Sequence, residues 1–177
     1  MKNPLTNECV AVLQQGAAVL ERLNNTQYHS TRGLPVRSGV GVHFRHCLEF
    51  YDNFLNGVAE SRVDYQRRER DPLTETERDF ALTKIAATID ALENLPVRDA
   101  ATPLLVRVED AAADSWCNSS VGRELQSLLS HTIHHYALIA LMLRLNGIEP
   151  GAEFGVAPST LTYWGLGDGK WGVGVGE

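Results

Sequence analysis

The stretch SHTIHHYALIALML, residues 130–143, decides the fold. Its apolar residues recur at helical steps, and the run extends from about residue 120 to Leu145, with Asn146-Gly147 as a C-terminal stop. His131 and His135 stand four residues apart on it. At 3.6 residues per turn such a pair lies on one face, one ring above the other. Two imidazoles so placed can bind one transition-metal ion, as they do in H-E-x-x-H helices. His134 is three residues from His131 and also pairs with it by spacing. It points about 100° away from His135, so the two do not serve one ion together. Leu128, His131, His135 and Leu138 form one stripe, and His134 falls with Ser127, Ser130 and Ala137 at its rim.

A second histidine pair lies upstream in GVHFRHCLEF, residues 41–50. His43 and His46 are three apart, and Glu49 continues their stripe. Val42, Cys47, Phe50, Phe54, Leu55 and Val58 supply apolar surface for a helix over residues 38–59, with Ser38 as N-cap. Gly39 and Gly41 weaken its first turn by up to roughly 1 kcal/mol each relative to Ala, unless they admit another backbone. Cys47 points about 100° away from His46 and reads as core. The spacing leaves open whether His43 or His46 faces the other pair. Two His-bearing helices in one small chain point to a metal site built between helices.

Two further helices complete the pattern. Val10, Leu13, Ala17, Leu20 and Leu23 predict one over residues 5–24. Phe80, Ala81, Ile85, Ile89 and Leu92 predict another over residues 74–95, opened by a Thr74–Glu77 capping box and closed by Pro96. Residues 25–37 read as a loop crossing over the helices, and residues 60–73 as a charged connection. TPLLVRVED, residues 102–110, is β-like, and residues 97–118 fit a short hairpin or extended crossover better than a helix. Residues 158–164 form about one helical turn. The expected fold is therefore all-α: a four-helix bundle with a long crossover and a short β-hairpin between its third and fourth helices. Residues 1–165 form a single domain, and the Gly-rich residues 166–177 a flexible tail.

Composition narrows the function. The 177 residues suit one domain, and 44% hydrophobic with 21% charged residues is ordinary for a globular chain. A net charge of −6 argues against a general nucleic-acid surface. Cys9, Cys47 and Cys117 are odd in number and widely spaced, which points to a reducing compartment rather than a disulfide framework. The N-terminus lacks a signal-peptide pattern, and the longest apolar stretch, residues 137–143, is far too short to span a bilayer. The expectation is a cytoplasmic protein without membrane or nucleic-acid partners.

Four segments carry a family resemblance: SGVGVHFRHCLEFYDNF (38–54), VDYQRRERD (63–71), LLSHTIHHYALI (128–139) and FGVAPSTLTYW (154–164). Together they resemble the DinB / YfiT-like superfamily over most of residues 5–164. The resemblance implies a four-helix bundle that holds a divalent metal on three histidines. Carried onto this sequence these are His46, His131 and His135, the register favouring His46 over His43. Superfamily members include thiol transferases that use low-molecular-weight thiols such as bacillithiol or mycothiol, metal-dependent hydrolases, and metal-binding domains of sulfoxide synthases. Dimers are common among them. The second histidine in each cluster and the Arg-rich connection depart from the better-understood branches.

The leading expectation is a metalloenzyme of thiol-transferase or hydrolase type. Its ion would be zinc or nickel, with iron and manganese also suited to three imidazoles. Its partners would be a small molecule, such as a low-molecular-weight thiol, and a second copy of the chain. The rival expectation is a non-catalytic metal-binding or stress-response bundle, serving as a structural or dimerisation module. Arg67, Arg68 and Arg70 read as a solvated salt-bridge loop or as an anion clamp over the metal, with Arg45 able to play either part. Tyr65 and Tyr136 are candidates to supply a proton or to orient a substrate. Glu49 reads as a surface charge or as a carboxylate that orients a ligand imidazole. Trp116, Trp164 and Trp171 read as packing or interface residues.

Overall fold

The computed structural model describes residues 3–30, 38–67, 69–96, 99–107 and 116–165. Among them seven helices and three strands follow in the order α1 (Pro4–Glu21), α2 (Asn25–His29), α3 (Val40–Val58), β1 (Arg62–Asp64), α4 (Pro72–Thr76), α5 (Arg78–Glu93), β2 (Pro103–Arg107), β3 (Cys117–Ser120), α6 (Val121–Leu145) and α7 (Pro158–Tyr163). The fold is predominantly helical with a small open sheet. The four long helices close a ring, in which α1 packs on α5 and α6, and α3 packs on the same two. Leu13 and Leu20 from α1, Phe44, Leu48, Tyr51 and Phe54 from α3, Ile85 and Leu92 from α5, and Leu125, Leu128 and Ile139 from α6 fill the centre.

Helix α6 is set by its ends. The Ser120 side chain accepts from Arg123 N at 3.3 Å, Glu124 adds an acid to the first turn, and Gly147 leaves the helix at φ 74°. Its bounds agree with the sequence expectation. The hairpin is present too: β2 pairs antiparallel with β3, Leu104 opposite Ser119. Leu104 and Val106 point into the core while Leu105 lies exposed, the alternation of a half-buried strand.

Other expectations need correcting. The charged connection contains β1, which pairs parallel with β2, Val63 opposite Val106. The crossover loop contains α2, closed by a capping box in which Asn24 and Gln27 each accept from the other's backbone N–H at 2.9 Å. Gly39, not Ser38, is the N-cap of α3, and it makes no side-chain cap bond. The helix expected over 74–95 is two helices, capped by Asp71 and Glu77, with Glu77 in extended conformation at the break. Thr74 caps nothing; its hydroxyl donates to Asp71 at 2.8 Å and it is fully buried. Part of the crossover (31–37) and the tail (166–177) lie outside the described residues.

The break at Glu77 has a tertiary cause. Helix α4 is drawn onto α3 by Arg45, which donates to Glu75 at 2.8 Å, and onto α2 by Tyr28, whose hydroxyl donates to Thr74 O at 2.6 Å. Gly41 makes the approach possible, because a Cβ there would stand 2.1 Å from the Glu75 carbonyl oxygen. Gly57 does the same for β1, where a Cβ would meet Arg62 O at 2.2 Å. We therefore expect Gly41→Ala to destabilise the fold by about 1–3 kcal/mol, the usual penalty of overpacking against an unyielding neighbour. Urea unfolding followed by circular dichroism checks this, and an unchanged midpoint would contradict the docking of α4 on α3.

Candidate metal centre

Three imidazoles converge where α3 crosses α6. The ligand-capable atoms of His46, His131 and His135 all lie within 4.8 Å of one another, and each ring is half-buried. The Nε2 of His131 is 3.2 Å from that of His46 and 3.0 Å from that of His135. The rings stand nearly perpendicular in pairs, at 72°, 78° and 84°. A neutral ring nitrogen offers either one in-plane N–H or one lone pair. The His131 Nε2 faces two nitrogens and cannot pair well with both. A cation among the three satisfies all of them at once. Nitrogens about 2.0–2.1 Å from a tetrahedral ion stand about 3.3 Å apart, close to the spacings seen. The cluster can therefore hold a divalent ion.

Spacing left His43 and His134 open, and the geometry sets both outside the three-ring cluster. His43 is buried, and its Nδ1 lies 2.8 Å from the Nδ1 of His135. It meets the far side of the His135 ring, away from the convergent nitrogens. His134 is exposed at the rim, its ring centre 5.1 Å from that of His135. The sixth histidine, His29, is remote and contacts Thr76 O.

Burial disfavours the protonated form of two of these histidines. The His135 pKa is pushed down from 6.5 to about 3, first by desolvation and then by His131, His46, His43 and His134. That of His43 is also lowered, by burial and then by His134. Neutral rings keep the lone pairs that a metal needs.

The sheet builds a cavity beside the histidines. Phe50 lies 4.4 Å, centre to centre, from His131 and stacks on Tyr65 at 5.3 Å. The Tyr65 hydroxyl donates to one oxygen of Glu124 at 2.8 Å, and the Ser119 hydroxyl to the other at 2.5 Å. Residues after β1, in β3 and in α6 thus meet on one buried carboxylate. The resulting cavity of about 460 Å³ is lined by Phe50, Tyr65, Val106, Cys117, Ser119, Arg123, Glu124, Leu128 and His131 among others. Sequence reading missed Glu124. Its only local signal is a place in the first helical turn, where a carboxylate is expected for the helix dipole alone.

Several expected roles change. Glu49 is 3% exposed and bonds Arg45 at 2.5 Å, so it is not a surface charge. Arg45 bridges Glu49 and Glu75 and is structural. Arg67 lines a different cavity of about 540 Å³, whose walls include Glu49, Asp52, Glu60 and Glu69 and no histidine. Arg70 is exposed, and Arg68 and Trp171 lie outside the described residues. Tyr136 is fully buried between Phe44 and Phe154, which removes it as a proton donor to a substrate. Tyr65 is raised by burial and by Glu124, and serves as a hydrogen-bond donor. Cys47 is core, as expected. Trp116 packs under Arg62 at 4.2 Å and near Arg107 at 5.4 Å, and Trp164 is 53% exposed.

No protein-family model matches the chain, and no solved structure matches it. Over 104 residues it is 34% identical to FK506-binding protein 5 of Rhizopus delemar, a match that covers 57% of this chain and 27% of that protein. The chain thus spans about a quarter of that relative's length, and the similarity fixes no shared family.

The histidine shifts give the acid response its sign. The unfolded chain protonates His135 near pH 6.5, whereas the folded one resists until about 3. Acid therefore favours unfolding across that interval. The His135 contribution is fully present above pH 6.5 and is lost as pH falls towards 3. Metal-stripped protein should melt progressively lower from pH 7 to pH 4, and His135→Gln should flatten the slope. Melting scans at stepped pH check this, and equal slopes for the two proteins would contradict it.

Proposed function

We propose that this chain is a metal-dependent enzyme of the DinB / YfiT-like type, holding a divalent ion on His46, His131 and His135. The carrying observation is the convergence of three ring nitrogens beside a cavity of about 460 Å³ that shares His131 as lining. A site that only braces helices needs no adjoining cavity, since structural sites close their coordination with protein ligands. Zinc or nickel fits three imidazoles best, and iron and manganese are the next choices. When bound, the ion supplies Lewis-acid activation of a thiol or a water. Thiol transfer or hydrolysis follows, which keeps the reading within what the resemblance implies.

The residues around the ion have separable tasks. Phe50 and Leu128 cover the histidines with apolar surface and limit water. Glu124, held by Tyr65 and Ser119, offers its remaining lone pairs as acceptors in the cavity. Arg123 is exposed on the same cavity and supplies the positive charge there. The ring of α1, α3, α5 and α6 with a hairpin before α6 supports the four-helix reading of residues 1–165. Exposed Leu141 and Leu145, one turn apart on α6, support pairing with a second copy. Among the described residues no helix is long and apolar enough to cross a membrane. We place the protein in the cytoplasm, on the cysteine usage.

Elemental analysis of protein purified without a metal-binding tag tests the reading. Wild type should carry close to one ion per chain, and His131→Ala/His135→Ala should carry none while keeping its helical spectrum. Wild type that stays metal-free after incubation with zinc, nickel and manganese would refute it.

A further inference from the structure

We propose that His43 is a positioning residue that accepts the Nδ1–H of His135 and so holds His135 in the tautomer whose Nε2 lone pair faces His46 and His131. The inference rests on the metal reading above and adds to it the residue that prepares one ligand.

The hydrogen bond joins two like atoms, Nδ1 to Nδ1, at 2.8 Å. Two neutral imidazoles can make it in two senses. If His43 donates, the proton of His135 sits on Nε2, in the middle of the histidine cluster, and blocks metal binding. If His135 donates, its Nε2 is left with a lone pair aimed at the cluster, 3.0 Å from the Nε2 of His131. Only the second sense is compatible with an ion. The acceptor also makes the donating ring a stronger ligand, the role that carbonyls and carboxylates play behind metal-bound histidines.

Among the described residues no further hydrogen bond to His43 fixes the sense. The other nitrogen of His43, Nε2, is buried and has no hydrogen-bond partner among the described residues. Among the described residues no neighbour therefore competes for the His43 proton, and His43 can carry it on Nε2 and accept from His135 through Nδ1. An ion held by the three histidines would require His135 to carry its proton on Nδ1 and His43 to carry its own on Nε2, a shift of one proton along the pair from the opposite sense. Proton number is conserved across the pair. Packing alone gives no reason for an imidazole here, because a leucine or phenylalanine would fill the buried place without burying an unpaired nitrogen.

Zinc serves as the probe. Affinity is read by competition with a chromophoric chelator for wild type, His43→Leu and His43→Asn. Nitrogen-15 histidine spectra of the zinc-loaded wild type report the tautomers. We expect His43→Leu to bind zinc about 10–100-fold more weakly, with its metal-free melting and helical spectrum retained. His43→Asn, whose side-chain oxygen takes the place of Nδ1, should recover most of the affinity. The spectra should show His135 protonated on Nδ1 and zinc-bound through Nε2, with His43 protonated on Nε2 and not coordinated. Equal affinity of wild type and His43→Leu would overturn the proposal and leave the metal reading standing. So would zinc coordinated by His43, or by the Nδ1 of His135. Wild type that takes no zinc would overturn both. Should His43→Leu fail to fold, the wild-type spectra decide alone.

Discussion

The packing of α3 on α6 is the constraint on which the rest depends. Both helices are long enough to be fixed by their own apolar stripes, yet each places imidazoles in the shared face. Placing four imidazoles in an apolar seam costs desolvation of their ring nitrogens. The surrounding structure offsets this with dense apolar packing. Phe44 and Tyr51 are almost fully buried beside the cluster on α3, and Leu128 and Tyr136 on α6. A hydrogen bond between the Tyr51 and Thr132 hydroxyls at 3.2 Å ties the same two helices beside the cluster, the Thr132 proton going to Leu128 O at 2.8 Å. The site is thus not added to a finished core. It occupies part of the core's own seam.

The small sheet has a role out of proportion to its size. Three short strands cannot stabilise themselves, and they lean on the helices through Val63, Leu104 and Val106. What they contribute is placement. β1 leads directly into Tyr65, and β3 carries Ser119 and runs straight into α6. Both side chains then converge on Glu124. A buried carboxylate needs such donors, and here they come from outside its own helix. The cavity wall, the carboxylate and the first turn of α6 are consequently fixed together.

Much of this was legible in the sequence, for a definite reason. His131 and His135 lie on one helix, where spacing alone dictates that the rings share a face. The long helices announced themselves by period, and β2 by alternation. What escaped depends on contacts between distant segments. β1 carries one inward residue, Val63, between Arg62 and Asp64, too short to show a period. The break between α4 and α5 is imposed by Gly41, Arg45 and Tyr28, none of them near it in sequence. Glu49 looked like a surface charge because its partner Arg45 is equally unremarkable on a helix face. Spacing did not separate His46 from His43, since the two are three residues apart; the preference for His46 came from the register of the family resemblance, and the structure adds that His43 reaches the back of the His135 ring.

That last distinction bears on what the site is for. A chain selected only for a stable helical seam would fill it with aliphatic and aromatic residues, which pack as well and leave no polar atom unmatched. This chain instead keeps three rings pointing at one another and a fourth behind them, next to a cavity with a fixed carboxylate and an exposed arginine at its edge. Local rules of burial are broken together, at one place. Departures of that kind concentrate where function requires them. The least demanding account of four imidazoles in an apolar seam is that the seam is completed by a cation. The cavity beside it, which reaches the cluster through His131, then provides a reason for that ring to remain partly accessible.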